Sequence, residues 1–491
     1  MIKLPLAEVA RVVGGTLAGS ADPGAIVSAV VVDSRAVVPG ALFAAFPGER
    51  ADGADFAAEA VVAGAVAVLA TRPLPVPTVV VSPEPGVDEP GSGTAGPQAR
   101  ALTSALGRLA HATLDRLPQA KVVAVTGSSG KTTTKDLLAS VLEPSGPTVA
   151  PVGSHNNDLG LPLTVLGADE RTSYLVLEMG ARGIGHICRL CAVAPPSIGI
   201  VLNVGTAHLG EFGAKEIVAQ AKGELVEAAR DCAVLNADDP LVRAMRARAQ
   251  VPVVTFGESP GADVRAEGVR LNAAARASFR LVAASGSAEV ALQLVGAHQV
   301  GNALAAAAAA LRLGVGIDDI ATRLGEARPR SRWRMEVHTN AAGVTVVNDA
   351  YNANPESMRA ALKALAEMTR ARRGAGTPGA PGARSWAVLG EMAELGEAAD
   401  AEHDALGRFA VRLNIDTLVV VGRPAARIHS GACLEGSWSG ESVQVAGAQE
   451  ASELVRAQSR PGDVVLVKAS RVAGLERVAA ALLDDPVGAT S

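Results

Sequence analysis

The chain has 491 residues, 48% of them hydrophobic but only 2% aromatic, with a formal net charge of −5 and a pI near 6.0. That length calls for roughly two to four domains rather than a single core. The acidic balance offers no basic footprint for nucleic acid, no apolar run nears the roughly 18 residues of a membrane helix, and four cysteines make no disulfide framework.

The N-terminus, MIKLPLAEVA, lacks a basic segment followed by an apolar one, so no signal peptide is expected and the compartment is predicted to be the cytoplasm. Residues 1 to about 80 carry short β-rich runs, Ile26–Val32 and Thr78–Val81, around one helical stretch. The run 61–70 is apolar but too short to span a bilayer. Pro83–Gln98 is rich in Pro and Gly and predicts a loop or hinge. A helix pattern from Ala99 to Leu117 leads into a series of β-branched runs: Val122–Val125, Leu175–Leu177, Ile198–Leu202, Ala233–Leu235 and Pro252–Phe256. Helical patterns alternate with them, which predicts a parallel sheet covered on both faces. Cys188 and Cys191 form a C-x-x-C, but no second Cys/His pair sits nearby, and the apolar face marked by Ile187 and Leu190 predicts buried thiols. Near Arg328–Arg332 the pattern breaks. A second α/β series follows, with strands at Val344–Val347, Trp386–Leu389, Leu418–Val421 and Val464–Val467, interrupted by an unpatterned insertion at Arg370–Arg384. The expected class is therefore α/β in three domains. These are a small mixed N-terminal domain with hinge (1–98), a central phosphate-loop domain (99–330) and a Rossmann-like C-terminal domain (331–491).

The strongest local signal is VVAVTGSSGKTTTKD, from Val122 to Asp136. A strand runs into a glycine-rich turn and then a helix. Gly127, Ser128, Ser129 and Gly130 offer backbone N–H groups to phosphate oxygens, with the helix N-terminus behind them. Lys131 would neutralise β/γ-phosphate charge, Thr132 would ligate Mg²⁺, and Thr133 joins the nucleotide-binding set. The first glycine of the strict phosphate loop is replaced by Val125, leaving the tighter T-G-x-x-G-K-T. Further polar groups end the following strands: Glu178 in Glu178-Met179-Gly180, and His208 in Asn203–Leu209. A carboxylate and an imidazole at the carboxyl ends of parallel strands suit a cation beside a nucleotide. Lys222, in Ala221-Lys222-Gly223-Glu224, reads from the residues alone as a surface lysine on a helix.

These segments, with LNADDP at Leu235–Pro240, GAHQVGNALAA at Gly296–Ala306, Arg334 in RMEV and NDAYNANPES at Asn348–Ser357, occur in the order seen in Mur ligases, which the chain resembles along essentially its whole length. Gln299 stands where Asn is usual. Asp33-Ser34-Arg35, FPGERADGADF at Phe46–Phe56, Asn156-Asn157 with Gly160–Thr164, and LGEMAELG at Leu389–Gly396 are most similar to one branch of the family. That branch joins D-alanyl-D-alanine to UDP-N-acetylmuramoyl-tripeptide. Ala54 and Ala469 replace the usual His and Gly of two of the branch's motifs.

The resemblance implies an ADP-forming ligase in peptidoglycan synthesis that uses ATP and Mg²⁺, as two ions. Its metal ligands would be Thr132, Glu178, His208 and Lys222, the last as a carbamate, with Lys131, Lys222 and His208 the catalytic set. Asn302, Arg334 and Asp349 would hold ATP; Ser34, Arg35, Asn156, Asn157 and Asn352 would hold substrate. The expected partners are those two small molecules, with no nucleic acid or membrane, and a monomer is the default. Two alternatives stand beside this reading: another ligase of the family, adding the third amino acid or extending folate, and a catalytically silent nucleotide-binding regulator on the same scaffold.

Overall fold

The structure, a computed structural model, describes residues 1–48, 51–83, 96–205, 214–375, 382–436 and 438–483. His208, most of the expected hinge at Pro83–Gln98 and the centre of the expected insertion at Arg370–Arg384 lie outside these residues.

Three sheets organise the chain. The first has five strands in the order Thr16–Ala18, Thr78–Val80, Ala65–Ala70, Ala41–Ala44 and Ala29–Val31. All but the first pairing are parallel. The run expected at Ile26–Val32 divides: Ile26–Val27 pairs with Leu4–Pro5 in a separate ladder, and Ala29–Val31 joins the sheet.

The central sheet has nine strands. Its parallel part runs Val264–Leu271, Val253–Gly257, Cys232–Asn236, Ile198–Val201, Lys121–Thr126, Tyr174–Glu178 and Thr148–Val149. The strand Lys121–Thr126 sits between Ile198–Val201 and Tyr174–Glu178, so the carboxyl ends of these three strands meet at one place. Ligands of open α/β sheets bind outside such carboxyl ends. The inner strands Lys121–Thr126, Tyr174–Glu178, Ile198–Val201 and Cys232–Asn236 are buried on both faces, which is why their sequences are largely Val, Ile, Leu and Ala.

The antiparallel extension Val264–Leu271, Arg276–Ala283 and Gly286–Val295 has no counterpart in the strand pattern read from the sequence. Its faces alternate between buried and exposed, so no apolar run marks it, and two register shifts break its period. The helix Gln299–Arg312 covers this half of the sheet. Ala303 and Ala305 to Ala310 are completely buried in it, and their small side chains let the helix lie close against the phosphate-loop helix Lys131–Leu142.

The third sheet has the order Glu336–Thr339, Thr345–Asn348, Val464–Lys468, Ser385–Leu389, Thr417–Val421 and Glu441–Val445, parallel except for its first pair. The helix after Asn354 runs Pro355–Ala375, so the first residues of the expected insertion are helical. Arg372 donates to Thr345 Oγ1 at 2.7 Å, and Arg373 pairs with Asp416, so these basic residues tie the helix end to the sheet rather than marking a loop.

The break near Arg328–Arg332 is a pinned crossing between the second and third sheets. Ser331 is buried; its hydroxyl donates to Asp136 Oδ2 at 2.7 Å and accepts from the Gly153 N–H at 3.1 Å. Arg330 grips Glu143 with two bonds of 2.5 Å. Past this anchor, Trp333 and Met335 hold φ of 59° and 51°. Such left-handed values cost non-glycine residues energy and persist only where the surroundings enforce them.

Candidate active site

The strand Lys121–Thr126 delivers the chain into the turn Gly127–Gly130, and the helix Lys131–Leu142 begins at once. Gly130 has φ +83°, and a Cβ there would stand 2.3 Å from Asn302 Oδ1, so the position admits only glycine. The glycine is thus demanded by the packing under the loop as well as by any phosphate above it. Asn302 also accepts from Thr134 Oγ1 at 3.3 Å and donates to Gln299 at 2.8 Å, making it the floor of the loop. From the other side, Asn203 Oδ1 accepts the N–H groups of Ser128 and Ser129, each at 3.0 Å. The loop is thus braced from both sides by the protein's own side chains.

Above it lies a cavity of about 420 Å³ between the second and third sheets. Ser128, Ser129, Gly130, Lys131, Thr132, Thr133, Asn156, Asn157, Glu178, Arg334 and Asn352 of the expected set line it. Gly127 contributes its carbonyl, which accepts from Lys131 Nζ at 2.7 Å. Glu178 is 1% exposed, and its carboxylate is the hub. Oε2 accepts from Thr132 Oγ1 at 2.9 Å, while Oε1 accepts from Ser154 Oγ and Asn156 Nδ2, both at 2.8 Å. Arg334 reaches across from the third unit to donate to Thr132 Oγ1 at 3.1 Å, its guanidinium 4.1 Å from the Tyr351 ring centroid. Burial pulls the Lys131 ammonium below the usual lysine range; Glu178 opposes this, and Arg334 adds to it.

Asn157 accepts from the N–H of Gly160 at 2.7 Å and so shapes the turn before the helix Gly160–Val165. Lys222 is not at the surface: it is 3% exposed on the helix Lys215–Ala228. Burial, reinforced by the nearby Lys131, holds its amine well below the ordinary lysine range. Glu224, two residues on, accepts from the N–H groups of Gly185 and Cys188 and anchors the start of the helix His186–Val193. Cys188 corrects an expectation: it is exposed, because that same helix turns it away from the core, while Cys191 is buried and its thiol is pushed up to about 12.

Asp349 stands behind the cavity wall. It accepts the Met335 N–H at 3.1 Å and pairs with buried Lys468 at 2.6 Å. Ala469, the departure from the usual glycine, is accommodated locally: Gly390 faces it, and a Cβ on Gly390 would come within 2.7 Å of the Ala469 methyl. Ser34 and Arg35 do not line this cavity. Asp33 ties Arg35 down through bonds of 3.0 and 2.7 Å in the N-terminal unit. Sequence reasoning passed over Ser154, Asn203, Tyr351 and Asn354, whose amide donates to Ser128 O at 3.1 Å across the cleft. Asn203 and the last two stood inside quoted motifs, but nothing in their spacing marked their contacts.

A preformed phosphate loop, a buried acceptor carboxylate beside it and a second α/β unit facing it across a cleft define a nucleotide-dependent group-transfer enzyme of the phosphate-loop class. Comparison with known proteins gives the family. Residues 26–112 match the model of the Mur ligase family catalytic domain, 125–310 that of the Mur ligase middle domain, and 333–471 that of the Mur ligase glutamate ligase domain. The UDP-N-acetylmuramoyl-tripeptide–D-alanyl-D-alanine ligase of Mycobacterium tuberculosis is 51% identical, over 99% of this chain and 98% of its own. The crystal structure of MurF from Acinetobacter baumannii superposes with a TM-score of 0.82 at 31% identity, covering 98% of this chain and 99% of its own. That of MurF ligase from Thermotoga maritima in complex with ADP gives 0.74 at 29%, covering 93% and 97%. The chain belongs to the Mur ligase family.

Proposed function

We propose that this enzyme ligates D-alanyl-D-alanine to UDP-N-acetylmuramoyl-tripeptide with conversion of ATP to ADP and phosphate, giving the pentapeptide precursor of peptidoglycan. The observation that carries the reading is the Lys131–Thr132–Glu178 cluster at the mouth of the phosphate loop, faced by Arg334 from the third unit. The 51% identity of a relative named for this reaction, over nearly the full length of both chains, selects it among the family's ligations.

A carboxylate and an amine do not condense at neutral pH without activation. The tripeptide's terminal carboxylate attacks the γ-phosphorus of ATP, releasing ADP and forming an acyl phosphate. The dipeptide amine then attacks the acyl carbon, and the tetrahedral intermediate expels phosphate. The protein's part is positioning and charge compensation. The N–H groups of Ser128 to Thr133 and the helix N-terminus cradle the polyphosphate. Lys131 exchanges its bond to the Gly127 carbonyl for the transferring phosphoryl group. Arg334, stacked on Tyr351, bridges the two units at that group, and Asn302 and Asp349 hold the loop and the facing segment in place.

The donor set suits Mg²⁺: Thr132 and Glu178 present hydroxyl and carboxylate oxygens, the ligands of a hard cation. Among the described residues no three His, Cys, Asp or Glu side chains gather as a metal cluster. His208, outside those residues, and a carbamate on Lys222 would complete the proposed set for two ions. An ion held by these residues would neutralise charge on the phosphates.

In this reading residues 1–98 hold the UDP moiety, with Ser34 and Arg35 as contacts. Residues 99–330 carry the phosphate loop, with Asn156 and Asn157 toward the tripeptide. Residues 331–491 close over ATP and bring the dipeptide, with Asn352 on that wall. No helix among the described residues is long and apolar enough to cross a membrane, and all four cysteines are free. A monomer in the cytoplasm is the proposed setting.

The test is phosphate release from ATP with each substrate in turn. Release is expected only with UDP-muramoyl tripeptide and D-alanyl-D-alanine together. Equal turnover with a single free amino acid would overturn the assignment.

A further inference from the structure

The reaction described above leaves two buried charged side chains of the phosphate-loop helix unused. Lys135 has no exposed surface and Asp136 is 7% exposed, and neither lines the cavity. Buried charges are costly unless they are paired and hydrogen-bonded. Lys135 Nζ donates to Asp136 Oδ1 and to the Pro151 carbonyl. Asp136 Oδ2 accepts the Ser331 hydroxyl at 2.7 Å, and Ser331 Oγ in turn accepts the Gly153 N–H at 3.1 Å. Pro151 and Gly153 are two residues apart, so these contacts close into a ring.

The ring grips a segment that has no regular structure of its own. Between the strand Thr148–Val149 and the helix Gly160–Val165 the chain forms neither helix nor strand. Val152, between the two gripped residues, is 75% exposed, so apolar packing does little to fix this part of the loop. The residue after the grip is Ser154, whose hydroxyl donates to Glu178 Oε1 at 2.8 Å; Asn156 Nδ2 donates to the same oxygen.

The closing member of the ring is Ser331, 2% exposed, at the crossing to the third unit. A hydroxyl can donate to Asp136 and accept from Gly153 at once, which an alanine cannot. Three residues further on, Arg334 donates to Thr132 Oγ1 at 3.1 Å, and that hydroxyl donates to Glu178 Oε2 at 2.9 Å. Two paths therefore run from Ser331 to one carboxylate. One passes through Gly153 and Ser154 to Oε1, the other along the chain to Arg334 and through Thr132 to Oε2.

We infer that Ser331, backed by Lys135 and Asp136, is a positioning residue for phosphoryl transfer. It sets both oxygens of Glu178 relative to the arginine that arrives from the third unit. This deepens the proposed function and rests on it. A brace serving stability alone has no reason to end on the carboxylate beside the phosphate loop, and both paths end there. The phosphate loop itself is held by Asn203 and Asn302, so nucleotide binding does not depend on Ser331.

The experiment is a double-mutant cycle on phosphate release. Ser331→Ala should lower kcat by about 10- to 100-fold, the scale of a small misplacement far from the chemistry, with the KM for ATP within about threefold. Ser154→Ala should lower kcat by about tenfold, one bond to a charged acceptor. Because Ser331 acts in part through Ser154, the double variant should fall no more than about threefold below Ser331→Ala. Effects that multiply, as independent sites or a simple loss of folded enzyme would give, overturn the inference. A second measurement needs no variant to fold. In unmodified enzyme the Gly153 amide, corrected for intrinsic rate, should exchange at least about tenfold more slowly than that of Val152, and more slowly still with ADP and UDP-muramoyl tripeptide bound. Exchange at the Val152 rate, or exchange indifferent to those ligands, overturns the inference. If unmodified enzyme releases no phosphate with both substrates present, the function reading has failed, a result distinct from these.

Discussion

Replacing Glu178 by Gln removes one negative charge from the cavity floor while nearly keeping its shape. Both oxygens are occupied in the native site, Oε1 by Ser154 and Asn156 and Oε2 by Thr132. A glutamine with its oxygen at the Oε1 position keeps the first two donors. Its NH₂ then faces the Thr132 hydroxyl, which can turn and accept. Bonds to a charged acceptor contribute about 1.5–3 kcal/mol and neutral ones about 0.5–1.5. Two weakened bonds and one reversed bond therefore cost about 2–3 kcal/mol. At roughly 2–4 °C per kcal/mol for a domain of this size, the melting temperature should fall by no more than about 12 °C. Turnover should fall much further, by about 10²–10³, because the carboxylate is also the proposed cation ligand at the transferring phosphoryl group. A second effect has a definite sign. Glu178 holds the Lys131 pKa up against burial and Arg334, so its loss lowers that pKa and Lys131 sheds its proton at lower pH. The alkaline limb of the pH–rate profile should move to lower pH in Glu178→Gln. The assay is phosphate release with all substrates saturating, across a pH series, beside thermal unfolding of the same preparations. Turnover within about tenfold of wild type, with the alkaline limb in place, would refute the reasoning.

Two further outcomes follow from buried groups. Lys222 sits where burial and Lys131 favour a neutral amine, the form that can take up CO₂. Lys222→Ala should lose activity and regain part of it with millimolar short-chain carboxylates, whereas Lys222→Arg, which stays charged, should remain inactive; near-wild-type turnover of the Arg variant rules out the carbamate. His403 is buried with Nε2 accepting the Met392 N–H at 2.9 Å and Nδ1 donating to Ala399 O at 2.7 Å, an arrangement only the neutral ring can make. Burial holds its folded pKa below the usual histidine value of 6.5. Between the folded pKa and 6.5 the unfolded chain binds more protons, so the His403 contribution is complete above pH 6.5 and is lost as pH falls through the folded pKa. Thermal unfolding from pH 7.5 downward should show His403→Gln with the shallower acid loss; parallel curves for the two proteins refute the assignment.

What the sequence disclosed and what it hid divide along one physical line. The phosphate loop was legible because its constraints are local: a strand, a turn that needs left-handed backbone at Gly130 and a helix follow within about a dozen residues. The parallel strands were legible because burial on both faces removes polar residues from them. The antiparallel strands from Val264 to Val295 were not, since half their residues face water and their register shifts twice. The burial of Lys222 was hidden for a related reason. A lysine on a helix reads as solvent-facing, yet Ala221 to Val226 are all buried here, Lys222 among them.

The cleft contacts were the least legible of all, because they join positions far apart in the chain. Ser128 meets Asn354, Thr132 meets Arg334, and Arg471 stacks on Trp333. None has a spacing signature, and the first two exist only when the third sheet faces the second. Such contacts are also the ones a ligase needs to make and break. An acyl phosphate must be shielded from water while the amine is brought to it, so its two walls belong on separate units. The anchor at Ser331 and the left-handed backbone at Trp333 and Met335 put the crossing point directly beside Arg334, which spans the cleft to Thr132. A change of angle at those two residues would carry Arg334 relative to Thr132. In this structure the crossing between the two units and the arginine that meets the phosphate loop lie within a few residues of each other, so a change in the angle of the one shifts the other.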